Sequence, residues 1–141
     1  LDAAVDYKAP DWREQLKAAT PNGIDVDFEN VGGEIMDAVF ARLNIRARVA
    51  LCGLISGYND AEPPPGPRSF GNLLINRVKL QGFIVLDHFD RAAEVAGILG
   101  GWMAEGRLVA RETVVEGFED LPETINMLFD GRNTGKLVVR I

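Results

Sequence analysis

Segments with the hydrophobic spacing of strands alternate along this chain with segments that have the spacing of helices. Strand-like runs lie near residues 24–29, 47–52 and 80–86. Between them, and again in residues 92–103, apolar residues recur three and four positions apart, which predicts helices. This alternation is typical of a parallel sheet with helices packed on it, so we predict an α/β fold.

The helix predicted over residues 92–103 contains three glycines in its interior, Gly97, Gly100 and Gly101. Each glycine costs about 1 kcal/mol relative to alanine in a helix. We therefore expect another backbone to pack closely against this helix. Gly106 is a natural C-terminal stop.

The composition excludes several classes of function. The 141 residues include 15 basic and 21 acidic side chains, a formal net charge of −6, which argues against a surface for nucleic acid or anionic membrane. One cysteine and one histidine exclude an internal disulfide and a multi-Cys/His zinc site within the chain, and we expect no bound metal. No apolar run is long enough to cross a bilayer and no signal peptide opens the sequence, so we expect a cytoplasmic protein.

Three strand ends are the candidate ligand-binding region, because open parallel sheets bind ligands beyond the carboxyl ends of their strands. These ends are residues 30–33, 52–59 and 83–85. The first two carry closely spaced glycines, which let a ligand approach the backbone, and small polar side chains such as Asn30 and Ser56. The alternative is that these glycines only make turns.

Four segments at these positions and near the end of the chain resemble those of one family, in the same order. They are DVDFENVGGE (25–34), CGLISGYN (52–59), GFIV (82–85) and NTGKLV (133–138). The resemblance spans residues 2–141. It is to the zinc-independent medium-chain reductases, the group of NADP-dependent leukotriene B4 dehydrogenases, prostaglandin reductases, plant double-bond reductases and curcumin-type reductases.

The resemblance implies that this chain is the C-terminal part of a considerably longer reductase. Residues 1–106 would be the second half of an NADP-binding Rossmann domain, and residues 107–141 would pack on a GroES-like substrate domain that the chain lacks. The glycine fingerprint G-x-G-x-x-G, which precedes this part in the family, is also absent from the sequence. Without its other half the chain would expose apolar surface. We also expect a homodimer, formed through the edge of the third strand.

The function implied by the resemblance is NADPH-dependent reduction of the C=C bond of α,β-unsaturated ketones or aldehydes. The small-molecule partner would be an enone or enal, and the cofactor NADP(H). The isolated chain is expected to be inactive. Two alternatives stay open, namely a quinone reductase or alcohol dehydrogenase of the same superfamily, and a non-catalytic nucleotide-binding or interaction module. The last would bind a ligand without oxidising NADPH.

Tyr58 is the candidate catalytic residue. The resemblance implies that it lies beside the nicotinamide ribose and the substrate carbonyl. A neutral phenol donates a hydrogen bond, so Tyr58 would stabilise the enolate oxygen or relay a proton. The alternative is a tyrosine that packs in its loop.

The resemblance also implies a set of cofactor-binding residues. Asn30 would meet the nicotinamide end, and Tyr7 the adenosine 2′-phosphate, with Lys8 adding positive charge. The family's main lysine for that phosphate lies upstream, so a preference for NADP over NAD is implied by the resemblance alone. Cys52 reads equally well as a small buried hydrophobic residue. The full set is Tyr7, Lys8, Asn30, Cys52, Gly53, Ile55, Ser56, Tyr58, Phe83, Ile84, Val85, Asn133 and Gly135. The proline-rich loop at residues 63–67 would border the substrate entrance.

Overall fold

A three-stranded parallel sheet organises the first part of the chain. The computed structural model describes residues 1–62 and 64–141, so Pro63, the first residue of the proline-rich loop, lies outside the described residues. In chain order the helices and strands of this part are α1 (Trp12–Ala19), β1 (Ile24–Glu29), α2 (Gly33–Phe40), β2 (Leu43–Leu51), α3 (Gly71–Ile75) and β3 (Lys79–Gly82). The strands lie in the order β1-β2-β3 and both pairings are parallel, which confirms the predicted α/β fold.

The chain divides into two units, Leu1–Asp87 and His88–Ile141. The second unit contains α4 (Ala92–Ala104), β4 (Glu112–Glu116), α5 (Leu121–Thr124), α6 (Met127–Asp130) and β5 (Lys136–Arg140). Its two strands pair in parallel, with Glu112 opposite Lys136 and Glu116 opposite Arg140. The domain boundary at residue 106, which the resemblance implies, stays a prediction.

The core of the first unit lies between α2 and β2. Met36 and Phe40 stand one helical turn apart on α2, and Leu43, Ala47 and Val49 lie on β2; all five are buried. Burying a Val, Leu, Met or Phe side chain stabilises the fold by about 1.5–3 kcal/mol. This cluster therefore anchors β2 and, with it, the loop that follows the strand.

From Val26 to Glu29, strand β1 turns its carboxylates, and not its apolar side chains, toward the covered side of the sheet, whereas Ile24 at its start packs against the core. Val26 and Phe28 are 58% and 65% exposed, whereas Glu29 is buried and Asp27 half-buried. Parallel sheets usually have both faces covered. The face of β1 that carries Val26 and Phe28 is open in this chain, in agreement with the expected exposure of apolar surface.

Two strand boundaries differ from the sequence prediction. The second strand starts at Leu43, earlier than predicted, because Leu43 is buried in the core and is paired with Ile24 of β1. The third strand ends at Gly82, earlier than predicted, because the chain then winds into 3₁₀ turns over Val85–Arg91. Among the described strands, β3 pairs with β2 alone, and all four of its residues are exposed. Dimer formation through this edge stays a prediction.

The helix α4 matches the predicted span, and its end is confirmed at Gly106. That glycine has a φ of +70°, and the N–H of Arg107 donates to the Trp102 carbonyl at 2.8 Å, which closes the helix end. The prediction of a closely packed backbone is wrong for the described residues. A Cβ atom at Gly97, Gly100 or Gly101 would meet nothing within 4 Å, and no residue of α4 is buried.

Candidate functional site

The carboxyl ends of the three strands lie in one row. Glu29 on β1 is paired with Leu51 on β2, and Leu51 is paired with Gly82 on β3. The chain leaves all three strands at the same edge, where a groove of about 440 Å³ opens. Five of the predicted site residues line this groove together with Leu51, Leu54, Gly82 and Asp87; the five are Cys52, Gly53, Tyr58, Phe83 and Ile84.

The turn after β1 and the loop after β2 are joined by backbone hydrogen bonds. The N–H of Ile55 donates to the carbonyl of Asn30 at 3.2 Å, and the N–H of Ser56 donates to the carbonyl of Val31 at 2.9 Å. The N–H of Cys52 donates to the carbonyl of Glu29, the last residue of β1, at 2.8 Å. Two predicted site segments that are more than 20 residues apart in sequence thus form one bonded structure.

Gly53 is the point at which Asn30 and Tyr58 come together. A Cβ atom built on Gly53 would lie 2.6 Å from Asn30 Oδ1 and 3.1 Å from Tyr58 Oη. Contacts this short require a neighbour to move, so only glycine fits here without displacing the amide or the phenol. The sequence reasoning gave Gly53 a role in cofactor binding, and the structure adds that its lack of a side chain leaves room for two predicted site residues.

The phenol of Tyr58 is held by the backbone of its own loop. The N–H of Leu54 donates to Tyr58 Oη at 3.2 Å. This bond uses a lone pair of the phenol oxygen, and within the described residues the hydroxyl proton has no acceptor. The side chain is 67% exposed. The mostly exposed phenol therefore lines the groove while its own loop holds its oxygen, and its catalytic role stays a prediction.

A buried carboxylate, that of Glu29, supports the turn after β1, and the sequence reasoning did not identify it. Glu29 is 3% exposed. Its Oε1 accepts hydrogen bonds from the N–H groups of Val31 at 2.6 Å and Gly32 at 2.8 Å. The one available signal was its position, an acidic residue at the end of a strand directly before the segment that starts at Asn30.

A second carboxyl group on the same strand, that of Asp27, lacks a partner on one oxygen. Among the described residues, its Oδ2 is buried and accepts no hydrogen bond. Burial raises the pKa of Asp27 from 3.8 to about 6, and the nearby charge of Glu29 adds to the increase. The ionised form of Asp27 is therefore disfavoured in the folded protein.

We expect Asp27→Asn to stabilise the protein above pH 6. Because the folded-state pKa lies above the unfolded one, the wild-type carboxyl group destabilises the fold fully above about pH 6 and ceases to do so as the pH falls toward 4. Allowing for its partial exposure, the gain in unfolding free energy is about 1 kcal/mol near pH 8 and close to zero near pH 4. Urea unfolding of the whole protein at both pH values measures it. An equal gain at both would contradict this explanation.

The predicted residues of the first unit that do not line the groove lie in the turn after β1, in the 3₁₀ turns Ile55–Gly57 and Val85–Arg91, and near the start of the chain; they are Asn30, Ile55, Ser56, Val85, Tyr7 and Lys8. Cys52 is exposed, so its alternative as a small buried hydrophobic residue is wrong. The ring of Phe83 packs edge-on against Phe28, with ring centroids 5.8 Å apart. Tyr7 and Lys8 lie in a turn before α1, where the N–H of Lys8 donates to the Asp6 carboxylate at 2.9 Å. The roles of Tyr7 and Lys8 stay predictions.

Asn133 and Gly135 belong to the second unit, just before β5. The side-chain amide of Asn133 donates to the carbonyl of Gly135 at 3.0 Å. Gly135 has a φ of +74°, and a Cβ atom there would collide with the carbonyl of Arg111. These contacts shape the entry to the strand, and the cofactor contacts implied for both residues stay predictions.

Over residues 1–62 and 64–141, no three His, Cys, Asp or Glu side chains lie close enough together to hold a metal ion. In the same residues, no helix has both the length and the apolar character needed to cross a membrane.

Comparisons with known proteins agree on one family. Residues 1–99 match the family model described as zinc-binding dehydrogenase. The chain is 42% identical over 146 residues to the NADPH-dependent curcumin reductase of Escherichia coli, covering 100% of this chain and 42% of that protein. It is 37% identical over 142 residues to the NADP(+)-dependent 2-alkenal reductase of Nicotiana tabacum, covering 100% of this chain and 41% of that protein.

The same agreement holds for solved structures. CurA from Vibrio vulnificus, crystallised in complex with NADPH, superposes with a TM-score of 0.88 at 45% sequence identity. The match covers 99% of this chain and 43% of CurA. The chain thus spans about two-fifths of the length of the relatives that it matches.

Proposed function

Because this chain belongs to the zinc-binding dehydrogenase family, and within it to the zinc-independent, NADP-dependent reductases, we propose that the whole protein reduces the C=C bond of α,β-unsaturated ketones or aldehydes. The observation that carries this proposal is the approach of the Asn30 amide and the Tyr58 phenol across Gly53, at the sheet edge where parallel α/β folds bind ligands. The names of the relatives, a curcumin reductase and an alkenal reductase, support the same substrate class.

The residues at the strand ends fit NADP(H). The groove of about 440 Å³ that Gly53 and Tyr58 line offers space for the nicotinamide ring beside the strand ends. Asn30 offers an amide, and Phe83, Ile84 and Val85 offer the backbone of a strand end. When bound, NADPH would supply the hydride that reaches the β-carbon of the substrate. The cofactor in the CurA structure supports this assignment.

Tyr58 would act on the substrate oxygen. As the β-carbon is reduced, negative charge develops on the carbonyl oxygen, and a fixed donor stabilises that charge most when it needs no rearrangement. The hydrogen bond from Leu54 N–H fixes the phenol oxygen and polarises its O–H group, which makes it a better donor. Tyr58 is therefore the catalytic residue of the proposed reaction.

Binding of the rest of the cofactor would involve residues outside this groove. Tyr7 and Lys8 offer a hydroxyl and a positive charge for the 2′-phosphate, and an exposed cation is suited to that role. Asn133 and Gly135 would make the last cofactor contacts, with Asn133 reaching the nicotinamide side of the dinucleotide.

The test is an NADPH oxidation assay on the whole protein with three matched substrates. We expect an enone to be reduced at its C=C bond, with the carbonyl retained in the product, and the corresponding saturated ketone to be inert. Rapid reduction of a quinone with no turnover of the enone would favour the quinone-reductase alternative. Cofactor binding without turnover of any substrate would contradict the proposal and favour the non-catalytic module.

A further inference from the structure

We propose that Glu29 is a positioning residue of this site, which sets the place of Asn30 and Tyr58 through the turn that its carboxylate closes. The inference rests on the proposed function for its kinetic consequence. It adds a residue to the site, because Glu29 neither lines the groove nor belongs to the set implied by the resemblance. Its structural basis is independent of what the protein reduces.

The Glu29 carboxylate holds the turn after β1 through two backbone hydrogen bonds. Glu29 is 3% exposed, and one of its oxygens accepts hydrogen bonds from two successive backbone N–H groups, those of Val31 and Gly32. Buried N–H groups without an acceptor are costly, so these two bonds favour one conformation of the turn. Asn30 lies inside this ring of bonds, between the residue that accepts and the residues that donate. Its backbone is therefore fixed from both sides.

Backbone hydrogen bonds connect the turn after β1 with the loop that carries Tyr58. The carbonyls of Asn30 and Val31 accept from Ile55 and Ser56, so a displaced turn moves the loop after β2. The N–H of Tyr58 in turn donates to the carbonyl of Ile55 at 3.3 Å. Hydrogen bonds and the backbone between them thus connect the Glu29 carboxylate with the backbone N–H of Tyr58, and the N–H of Leu54 in the same loop holds the phenol oxygen.

Small displacements of Asn30 and Tyr58 are expected to lower the rate of the proposed reaction. Asn30 Oδ1 and Tyr58 Oη fill the space beside Gly53, since a Cβ atom there would lie only 2.6 Å from the amide oxygen. A shift of about 1 Å in a reacting group can lower a rate by about 100-fold. Loss of the acceptor at Glu29 is therefore expected to affect turnover more than cofactor binding.

The experiment compares Glu29→Gln with Glu29→Met in the whole protein. The two side chains have similar length and flexibility, but only glutamine keeps an acceptor oxygen at the same reach. We expect kcat for the enone to fall about 100-fold in E29M and about threefold or less in E29Q, with KM for NADPH within about threefold of wild type in both. Wild-type kcat in E29M, or equal losses in the two variants, would overturn the proposal.

A third variant covers the case in which E29M does not fold. Glu29→Asp keeps the charge but withdraws the acceptor by one methylene, so we expect kcat to fall about tenfold while thermal unfolding shows a folded protein. Wild-type kcat in E29D would overturn the proposal in that case.

Hydrogen–deuterium exchange separates this inference from the proposed function. If the wild-type protein reduces no enone, the proposed function fails, but the positioning role is still tested by the exchange of residues 52–58. We expect this loop to exchange about tenfold faster in E29M than in E29Q, with the strand β3 unchanged. Equal exchange of the loop in the two variants, or of E29D and wild type where E29M does not fold, would overturn the positioning role whatever the protein reduces.

Discussion

Replacing Tyr58 with phenylalanine is expected to lower kcat for the enone about 100-fold or more, with KM for NADPH within about twofold of wild type. The substitution removes one hydroxyl group and keeps the ring. Leu54 N–H loses its acceptor, but this loop is exposed and water can replace the lost bond. The effect should therefore fall on stabilisation of the developing oxyanion and not on folding.

Steady-state kinetics of the whole protein, with thermal unfolding of the same preparation, measure this effect. A donor that acts only in the transition state lowers kcat and kcat/KM equally. A rise in KM for the enone at constant kcat would mean that Tyr58 only binds the substrate. Wild-type kinetics would remove Tyr58 from the mechanism, and with it the main support for enone reduction by this site.

Gly53→Ala is expected to be as damaging as the loss of the phenol, although it adds only one methyl group. That methyl group would lie 2.6 Å from Asn30 Oδ1 and 3.1 Å from Tyr58 Oη, so the Asn30 amide must move and the phenol oxygen must shift by a few tenths of an ångström. We expect kcat/KM for the enone to fall about 100-fold from the misplacement. Because both contacts are with the ends of exposed side chains, we expect the unfolding free energy to change by less than about 1 kcal/mol.

Gly71→Ala is the matched control for this substitution. Gly71 opens α3, it has no positive φ, and a Cβ atom there would meet nothing within 4 Å. We expect wild-type kinetics and stability from G71A, measured by the same enone assay and urea unfolding. Wild-type activity in G53A would show that turnover does not depend on the present positions of Asn30 and Tyr58. Their approach across Gly53 would then no longer support the proposed function.

Much of this site was predictable because its residues follow strands, and strand ends are marked by local patterns. The spacing of apolar residues predicted β1, β2 and β3, and the topology of a parallel sheet then brings residues 30, 52 and 83 to one edge. The roles of Tyr58 and Asn30 came from the family resemblance. Their approach across Gly53 is a finding of the structure.

Other features were not predictable, since they depend on which side of an element is covered. The alternation of apolar and polar residues in β1 identifies a strand, but it does not tell which side of the strand is covered. Here Asp27 and Glu29 lie on the covered side, and the Phe28 side chain is exposed. The support that Glu29 gives to the turn follows from this facing. The glycines of α4 show the same limit, because their spacing suggested a close neighbour and the described chain provides none.

The backbone bonds between the turn after β1 and the loop after β2 have a consequence for how this site can diverge. Because Asn30, Val31, Ile55 and Ser56 are joined through main-chain atoms, the side chains at positions 55 and 56 are free of that task. Substitutions of the exposed Ile55 side chain can therefore change the surface of the loop while these backbone bonds persist. Insertions or deletions between residues 52 and 56 would break the backbone hydrogen bonds from Ile55 and Ser56 to the turn after β1. Divergence among proteins with this site should therefore proceed by replacement of side chains at constant loop length.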